Sequence, residues 1–463
     1  MIPREPPGGK GAVPYRPDPV RSPSGGSPRA AQRTAAIEIA QQDAAISSRS
    51  MTGKRCISEK NRVRATSRGR ESLMALTIEG ARLVDVAGEQ PAARLVVEDG
   101  RIVDVGPDTA PHGRRVDAHG MIITPGFIDL HTHGGGGFPL HTTDPVAIHG
   151  YARWAPSTGT TAFLIGVVGV PGGLPLAQLR TATQAMAAPG QGAEILGIHL
   201  EGPYLNPARR GAHDPAWLRQ PDHGEVAALL EAAEGRLRLV TLAPELPGAD
   251  TLIQTLVAAG VTASMGHTDA TYEQAQAAIR LGVSQATHCF NAMRPLHHRD
   301  PGPLAAVVEA EMVRGELIAD GVHVHPAAAR LLIRLLGPER VIVVTDAQAV
   351  TGKPDAVLDF GGLPARVVDG AVRLADGILA GSALTTAAAL KNLVTWGDVS
   401  LPEAVGMLSW NPARAIGVER RKGRLQPGYD ADLLIFDAAL TLQATLCRGV
   451  VAYATPTWHE RLA

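Results

Sequence analysis

The sequence predicts an α/β protein: a TIM-type (β/α)8 barrel with a small β-sandwich domain built from both chain ends. Three observations carry that expectation. The middle of the chain, residues 125–417, alternates eight short β-branched runs with helical patterns, and eight strands alternating with helices specify a parallel barrel. The stretches on either side, 74–124 and 418–455, read instead as short strands joined by tight turns. Residues 1–73 follow neither pattern.

Taken in order, residues 1–73 are rich in Pro, Gly, Ser, Arg and Ala and lack apolar periodicity. A disordered tail is the reading that this composition supports. Alternating apolar residues begin only at Met74, so a second reading places the true start of translation there. A transit peptide is the rival, disfavoured by the acidic residues present. In the next stretch, "RLVVEDGRIVDVG" holds two alternating runs that meet at Asp99-Gly100, a strong hairpin signal.

The barrel strands are expected at Gly126–His131, Ala162–Val168, Leu196–Glu201, Leu239–Ala243, Thr262–Gly266, Gln285–Cys289, Glu316–Ala319 and Val341–Thr345. Among the helices between them, "TYEQAQAAIRLG" (271–282) has amphipathic spacing and a closing Gly282. Near the C-terminus, strands are expected around Leu433–Phe436 and Gly449–Tyr453.

Bulk properties exclude several classes. The 463 residues are 45% hydrophobic and 19% charged, ample for a large core, and the formal net charge is -1. That balance gives no electrostatic case for nucleic acid or membrane as a partner. It hides an asymmetry: residues 1–73 hold 14 of the 44 Lys and Arg but six of the 45 Asp and Glu. Cys56, Cys289 and Cys447 form no disulfide framework, which points to a reducing cytoplasm. No apolar run approaches the ~18 residues of a membrane span, and the first 25 residues lack a secretory core.

Catalysis on such a barrel sits at the C-terminal ends of its strands. There the sequence places His131-Thr132-His133, His199-Leu200-Glu201, His267, His288, Asp320-Gly321-Val322-His323 and Asp346. Alternate strand residues share a face, so His131 and His133 can chelate one ion. Imidazoles with carboxylates suit Zn²⁺, Fe²⁺ or similar metals. Any one of these histidines is as readily a hydrogen-bonded structural residue; the set of six strand ends is what argues for a metal centre.

"PGFIDLHTHGGGG" resembles the opening metal motif of the amidohydrolase superfamily. "GIHLEGPYLN", "SMGHTDATYEQA", "ATHCFNAMRPL", "IADGVHV" and "VTDA" resemble, in order and spacing, the motifs of the N-acetylglucosamine-6-phosphate deacetylase family. The likeness runs from about Met74 to Tyr453 and includes "LAGSALT" and "NPARAIG". It implies that Glu201, His267 and His288 hold a metal and that Asp346 is the catalytic acid/base. His131 and His133 match a second site, which members with a non-ligand pair at this position lack. It also implies one or two divalent ions per subunit, Zn²⁺ foremost with Fe²⁺, Mn²⁺ or Co²⁺ as alternatives. Between residues 125 and 417 the only lysines are Lys353 and Lys391, both after the eighth strand. No strand-four lysine is available to bridge two ions, which leaves Glu201 as the candidate bridge.

The reaction so implied is hydrolysis of the acetamide of N-acetyl-D-glucosamine 6-phosphate, in amino-sugar catabolism. A metal lowers the pKa of bound water from 15.7 to roughly 7, and Asp346 takes the proton and returns it to the leaving amine. Ala212 and His213 match a substrate-contacting segment, with an exposed loop histidine as the plainer reading of His213. Asn291, Ala292 and His323 match sugar- and phosphate-contacting positions, and Leu379, Ala380 and Gly381 a substrate-lining loop. Arg299 matches a phosphate-contacting arginine, since a guanidinium fork suits phosphate; otherwise it is a solvated loop charge. A homodimer is the implied assembly. Two other functions compete: an amidohydrolase acting on another N-acyl amino sugar or N-acyl amino acid, and an inactive barrel serving as scaffold. The complete ligand set argues against the scaffold.

Overall fold

A computed structural model describes residues 75–463, apart from 189, 354–356 and 361–362. The expectations for residues 1–73 and for Met74 lie outside the described residues. The segments 76–125 and 433–454 join in one eight-stranded mixed sheet. Its order is Val450–Ala454, Leu442–Cys447, Leu433–Phe436, Ile122–Pro125, Leu76–Asp85, Gly88–Glu98 and Arg101–Gly106, with Arg114–Asp117 also paired to Leu76–Asp85. The two chain ends meet where Leu433–Phe436 runs antiparallel to Ile122–Pro125, Leu434 opposite Thr124. Ile78, Leu95, Ile123, Leu433 and Leu446 supply a core that is separate from the barrel's.

The hairpin at Asp99-Gly100 forms with both residues at positive φ, 48° and 78°. That is the backbone a two-residue turn needs to match the strand twist. Some elements had no forecast in the sequence, among them the helix Pro456–Leu462, which buries Trp458 and Leu462 in the same core.

The barrel strands are Phe127–Asp129, Thr160–Val168, Glu194–Glu201, Leu237–Leu242, Thr262–Met265, Gln285–Ala286, Arg314–Ile318 and Val341–Val344, hydrogen-bonded in chain order and parallel throughout. All nine residues of Thr160–Val168 are buried, as expected of a strand covered on both faces. The ring closes just beyond the strand ends. The Asp346 N–H donates to the His131 carbonyl at 2.7 Å, and the His133 N–H to the Ala347 carbonyl at 2.8 Å. Beneath them the Asp129 carboxylate accepts from the Thr345 hydroxyl (2.6 Å) and the Thr345 N–H (3.2 Å).

The helix forecast over 271–282 is Tyr272–Leu281, with Thr271 and Gln274 in a reciprocal capping box and Gly282 at φ 116° closing it, the expected start and stop chemistry. After the eighth strand the chain builds a four-stranded antiparallel sheet, Val357–Phe360, Leu363–Val368, Ala371–Leu374 and Leu379–Ser382. Its Ala365, Val372 and Ala380 pack with Ala212 and Val350, and so bring one edge of the insert to the barrel mouth.

Candidate metal and catalytic centre

Two groups of side chains converge at that mouth: His131, His133 and Asp346, and Glu201, His267 and His288. All six are buried. Each comes from the end of a strand or the residues just after it, and local backbone shape aims several of them. His267, His288 and Asp346 lie at φ 48°, 29° and 49°. A left-handed backbone is unfavourable for residues with a Cβ and persists where the surroundings impose it, often at functional sites. Gly166 on the second strand makes room for the first group: a Cβ there would stand 2.2 Å from the Thr132 carbonyl oxygen and 2.9 Å from His133 Nδ1. Gly381, at φ 84°, lets the insert approach, since its Cβ would meet the Asp346 carbonyl at 2.7 Å.

Glu201 stands between the groups. Its Oε2 is 3.2 Å from His133 Nε2, and its Oε1 is 3.1 Å from His267 Nε2 and 3.3 Å from His288 Nε2. His131 Nε2 lies 3.3 Å from His133 Nε2 and 3.4 Å from Glu201 Oε1. Asp346 Oδ1 is 3.3 Å from His133 Nε2 and 3.6 Å from His131 Nε2.

The hydrogen bonds behind the rings decide what these nitrogens offer. His267 Nδ1 donates to the Arg209 carbonyl at 2.9 Å, and His131 Nδ1 donates to Glu316 Oε2 at 3.0 Å. A neutral imidazole has one N–H, so in both rings Nε2 presents a bare lone pair toward carboxylate oxygens that are acceptors too. Converging lone pairs of this kind require a proton or a cation among them. Buried imidazoles and carboxylates fit a divalent metal, with the rings held from behind as ligands commonly are.

The charges agree. Burial works against ionising Asp346, yet His131 and His133 hold its carboxyl down at about 2. Glu201, likewise opposed by burial, is held well below the usual carboxylate range by His131, His133 and His213. Burial would depress His133, but Asp346 and Glu201 raise it to about 9. A divalent cation competes with those protons for the same atoms.

Of the other residues expected at the site, Ala212, His213, Asn291 and Ala292 line a cavity of about 250 Å³ above the two groups. His323, Leu379, Ala380 and Gly381 line it too. His213 is buried, with Nε2 3.6 Å from Glu201 Oε2, and burial lowers its pKa; it is no exposed loop residue. Arg299 is not brought in. It is exposed, outside the lining of the cavity, and its guanidinium lies 2.7 Å from His298 Nε2. No Lys or Arg lines this cavity among the described residues. His199 turns away and bonds Thr241 Oγ1 at 2.9 Å.

Sequence reasoning passed over three supporting residues, and it named a fourth, Asp320, without giving it a role. Asp129 braces the barrel closure, Glu316 holds His131, and Gln348 lines the cavity. Asp320 accepts from His323 Nδ1 at 2.6 Å and from the Val322 and His323 N–H groups at 2.8 Å. A signal existed for two of them: Glu316 and Asp320 are four apart on a strand and its extension, the spacing of one face. A larger cavity, about 700 Å³, opens at Arg101, Arg153 and Arg448. Among the described residues no imidazole lines it, and burial drives the Cys447 thiol upward and so keeps it protonated.

A barrel whose strand ends deliver paired histidines and acidic residues to one buried centre defines a metal-dependent hydrolase class. The amidohydrolase family model matches residues 122–456, and the chain belongs to that family. It is 34% identical over 384 residues to an N-acetylglucosamine-6-phosphate deacetylase of Lysinibacillus sphaericus, covering 82% of this chain and 99% of that protein. It is 35% identical to an N-acetylgalactosamine-6-phosphate deacetylase of Escherichia coli O157:H7, covering 82% of this chain and 100% of that one. The structure of N-acetyl-D-glucosamine-6-phosphate deacetylase from Mycobacterium smegmatis superposes with a TM-score of 0.75 at 38% identity, covering 82% of this chain and all of that chain.

Proposed function

We propose that the protein hydrolyses the acetamide of N-acetyl-D-glucosamine 6-phosphate to D-glucosamine 6-phosphate and acetate. The observation that carries this reading is the convergence of His131, His133, Glu201, His267, His288 and Asp346 at one centre, all but His131 lining one cavity. Glu201, His267 and His288 would hold one divalent ion and His131 and His133 a second, with Glu201 the carboxylate that stands between the two groups. Zn²⁺ is the leading candidate, ahead of Fe²⁺, Mn²⁺ or Co²⁺. Such an ion lowers the pKa of a bound water from 15.7 to roughly 7 and polarises a carbonyl.

The remaining work falls to side chains. Asp346, kept ionised beside His131 and His133, takes the proton of the attacking water. Oxygen adds to the acetyl carbon, the C–N bond breaks, and Asp346 returns the proton to the departing amine. His213, neutral by burial, steadies the carbonyl oxygen as it becomes anionic. His323, held at Nδ1 by Asp320, presents Nε2 to the sugar, and Asn291 and Ala292 face the same ligand. With no Lys or Arg in the lining among the described residues, the phosphate draws on Arg299 outside it, on the loop that follows Asn291 and Ala292. The protein works as a cytoplasmic homodimer; among its described residues no helix is long and apolar enough to cross a membrane.

Similarity to the N-acetylgalactosamine-6-phosphate deacetylase supports a second reading, the epimeric substrate. Acetate release should be measured with both phosphorylated epimers and with unphosphorylated N-acetylglucosamine. A preference for the gluco 6-phosphate upholds the proposal; a preference for the galacto form exchanges the substrate, and turnover of neither phosphorylated sugar overturns it.

A further inference from the structure

We infer that Glu316, which is in neither group of candidate ligands, is the positioning residue that readies His131 to bind an ion. The inference rests on the two-ion reading above. Glu316 lies on the seventh barrel strand with its side chain wholly buried, and its side-chain hydrogen bonds go to His131, His288 and Gln285. Oε2 accepts from His131 Nδ1 at 3.0 Å and from the His288 backbone N–H at 3.1 Å. Oε1 accepts from Gln285 Nε2 at 2.6 Å. Three donors thus fix the carboxylate, and it in turn fixes the ring.

The consequence for His131 is chemical. A neutral imidazole carries its proton on one nitrogen, and the partner of the other decides which. A carboxylate at Nδ1 takes the N–H there and leaves the Nε2 lone pair facing His133, Glu201 and Asp346. Without it the proton can sit on Nε2 and block that lone pair. The buried negative charge also offsets part of the charge that an ion brings into a region of low dielectric. An amide in its place keeps the shape, because its single oxygen can face His131 and His288 while Gln285 turns its own amide, but it loses the charge.

The test measures metal binding, independent of turnover. Apo-protein prepared with a chelator is titrated with Zn²⁺ against a chromophoric competitor, and bound zinc is counted by elemental analysis. The parent should hold two equivalents. In Glu316→Gln the affinity of one equivalent should fall by about 10- to 100-fold, with the thermal midpoint of the apo-protein unchanged. On a His131→Gln background, which removes that equivalent, adding Glu316→Gln should change the remaining affinity by less than about twofold, the signature of action through one ring. Should Glu316→Gln fail to fold, Glu316→Asp, which keeps the charge and withdraws it by one methylene, carries the same expectation. A parent with fewer than two equivalents overturns the two-ion reading and this inference with it. A parent with two, beside a variant that binds both as tightly, overturns the role of Glu316 alone. So does a loss that persists undiminished on the His131→Gln background.

Discussion

The carboxylate of Asp346 lies 3.3 Å from His133 Nε2, across the seam where the first and eighth barrel strands close. Its own N–H is bonded to the His131 carbonyl, so backbone and side chain are fixed by the same two histidines. This locates a carboxylate beside the ion-binding atoms, in reach of them and of the cavity. Asp346→Asn keeps that geometry and removes the proton acceptor. We expect kcat to fall by at least ~10²-fold, a typical general-base contribution, with metal content nearly unchanged. A variant that retains its metal and near-normal kcat would refute the role of base, and one that loses an ion would recast Asp346 as a ligand.

Replacing both histidines of the first group should remove one ion and spare the other. Glu201, His267 and His288 have their own supports, such as the Arg209 carbonyl behind His267. Elemental analysis of His131→Gln/His133→Asn should therefore give about one equivalent less than the parent. Equal content would mean that the parent never held a second ion.

Much of this was legible in the sequence, because eight strands alternating with helices and polar motifs at six strand ends leave few alternatives. The eight barrel strands fall where β-branched runs forecast them, with ends shifted by up to three residues. What stayed hidden has physical reasons. The strands of the 357–382 insert are short and irregular, and nothing local shows that Ala365 and Ala380 will share a core with Ala212. Glu316 and Asp129 act through partners 185 and 216 residues away, a distance that only the closed barrel collapses. Arg299 could be aligned by motif, but its exposure could not.

A pH-dependent prediction comes from the seam between the third barrel strand and the end sheet. Glu194 receives Arg421 at 2.6 Å, Lys422 at 2.8 Å and Arg448 at 3.3 Å. Burial opposes its charge, but these cations hold its pKa at about 2. A lowered folded-state pKa gives stability that is present above the unfolded value of 4.5 and is lost as pH falls toward 2. At roughly 1.4 kcal/mol per pKa unit the contribution is about 2–3 kcal/mol, allowing for partial exposure. Glu194→Gln should lower the thermal midpoint by several degrees at pH 7, and the gap should narrow steadily below pH 4.5. A gap independent of pH would assign the effect to packing.

Arg299 poses the sharpest question about the substrate. It is exposed and rests against His298, while the cavity has no cation of its own among the described residues. Arg294 nearby is taken by Asp269 and Asp300, at 3.0 and 2.9 Å, and Arg209 by Asp269 at 2.8 Å. Among the described residues, Arg299 is the guanidinium of the 290–301 loop that no carboxylate engages. A charge-assisted hydrogen bond to phosphate corresponds to roughly 10- to 150-fold in affinity, so Arg299→Ala should lose that factor in kcat/KM on the phosphorylated sugar. On unphosphorylated N-acetylglucosamine the change should be under about twofold, since the partner is missing from the start. The ligand thus serves as the second mutant of a cycle. Equal losses on both substrates would make Arg299 a support of the loop or the metal centre. No loss on either would leave it a solvated charge, and the phosphate would have to be met by backbone N–H groups around Asn291 and Ala292. Mixing inactive Asp346→Asn chains with Arg299→Ala chains then tells where a useful Arg299 comes from. Recovery of activity on mixing means that the arginine serves a neighbouring subunit's cavity, and absence of recovery means that it serves its own.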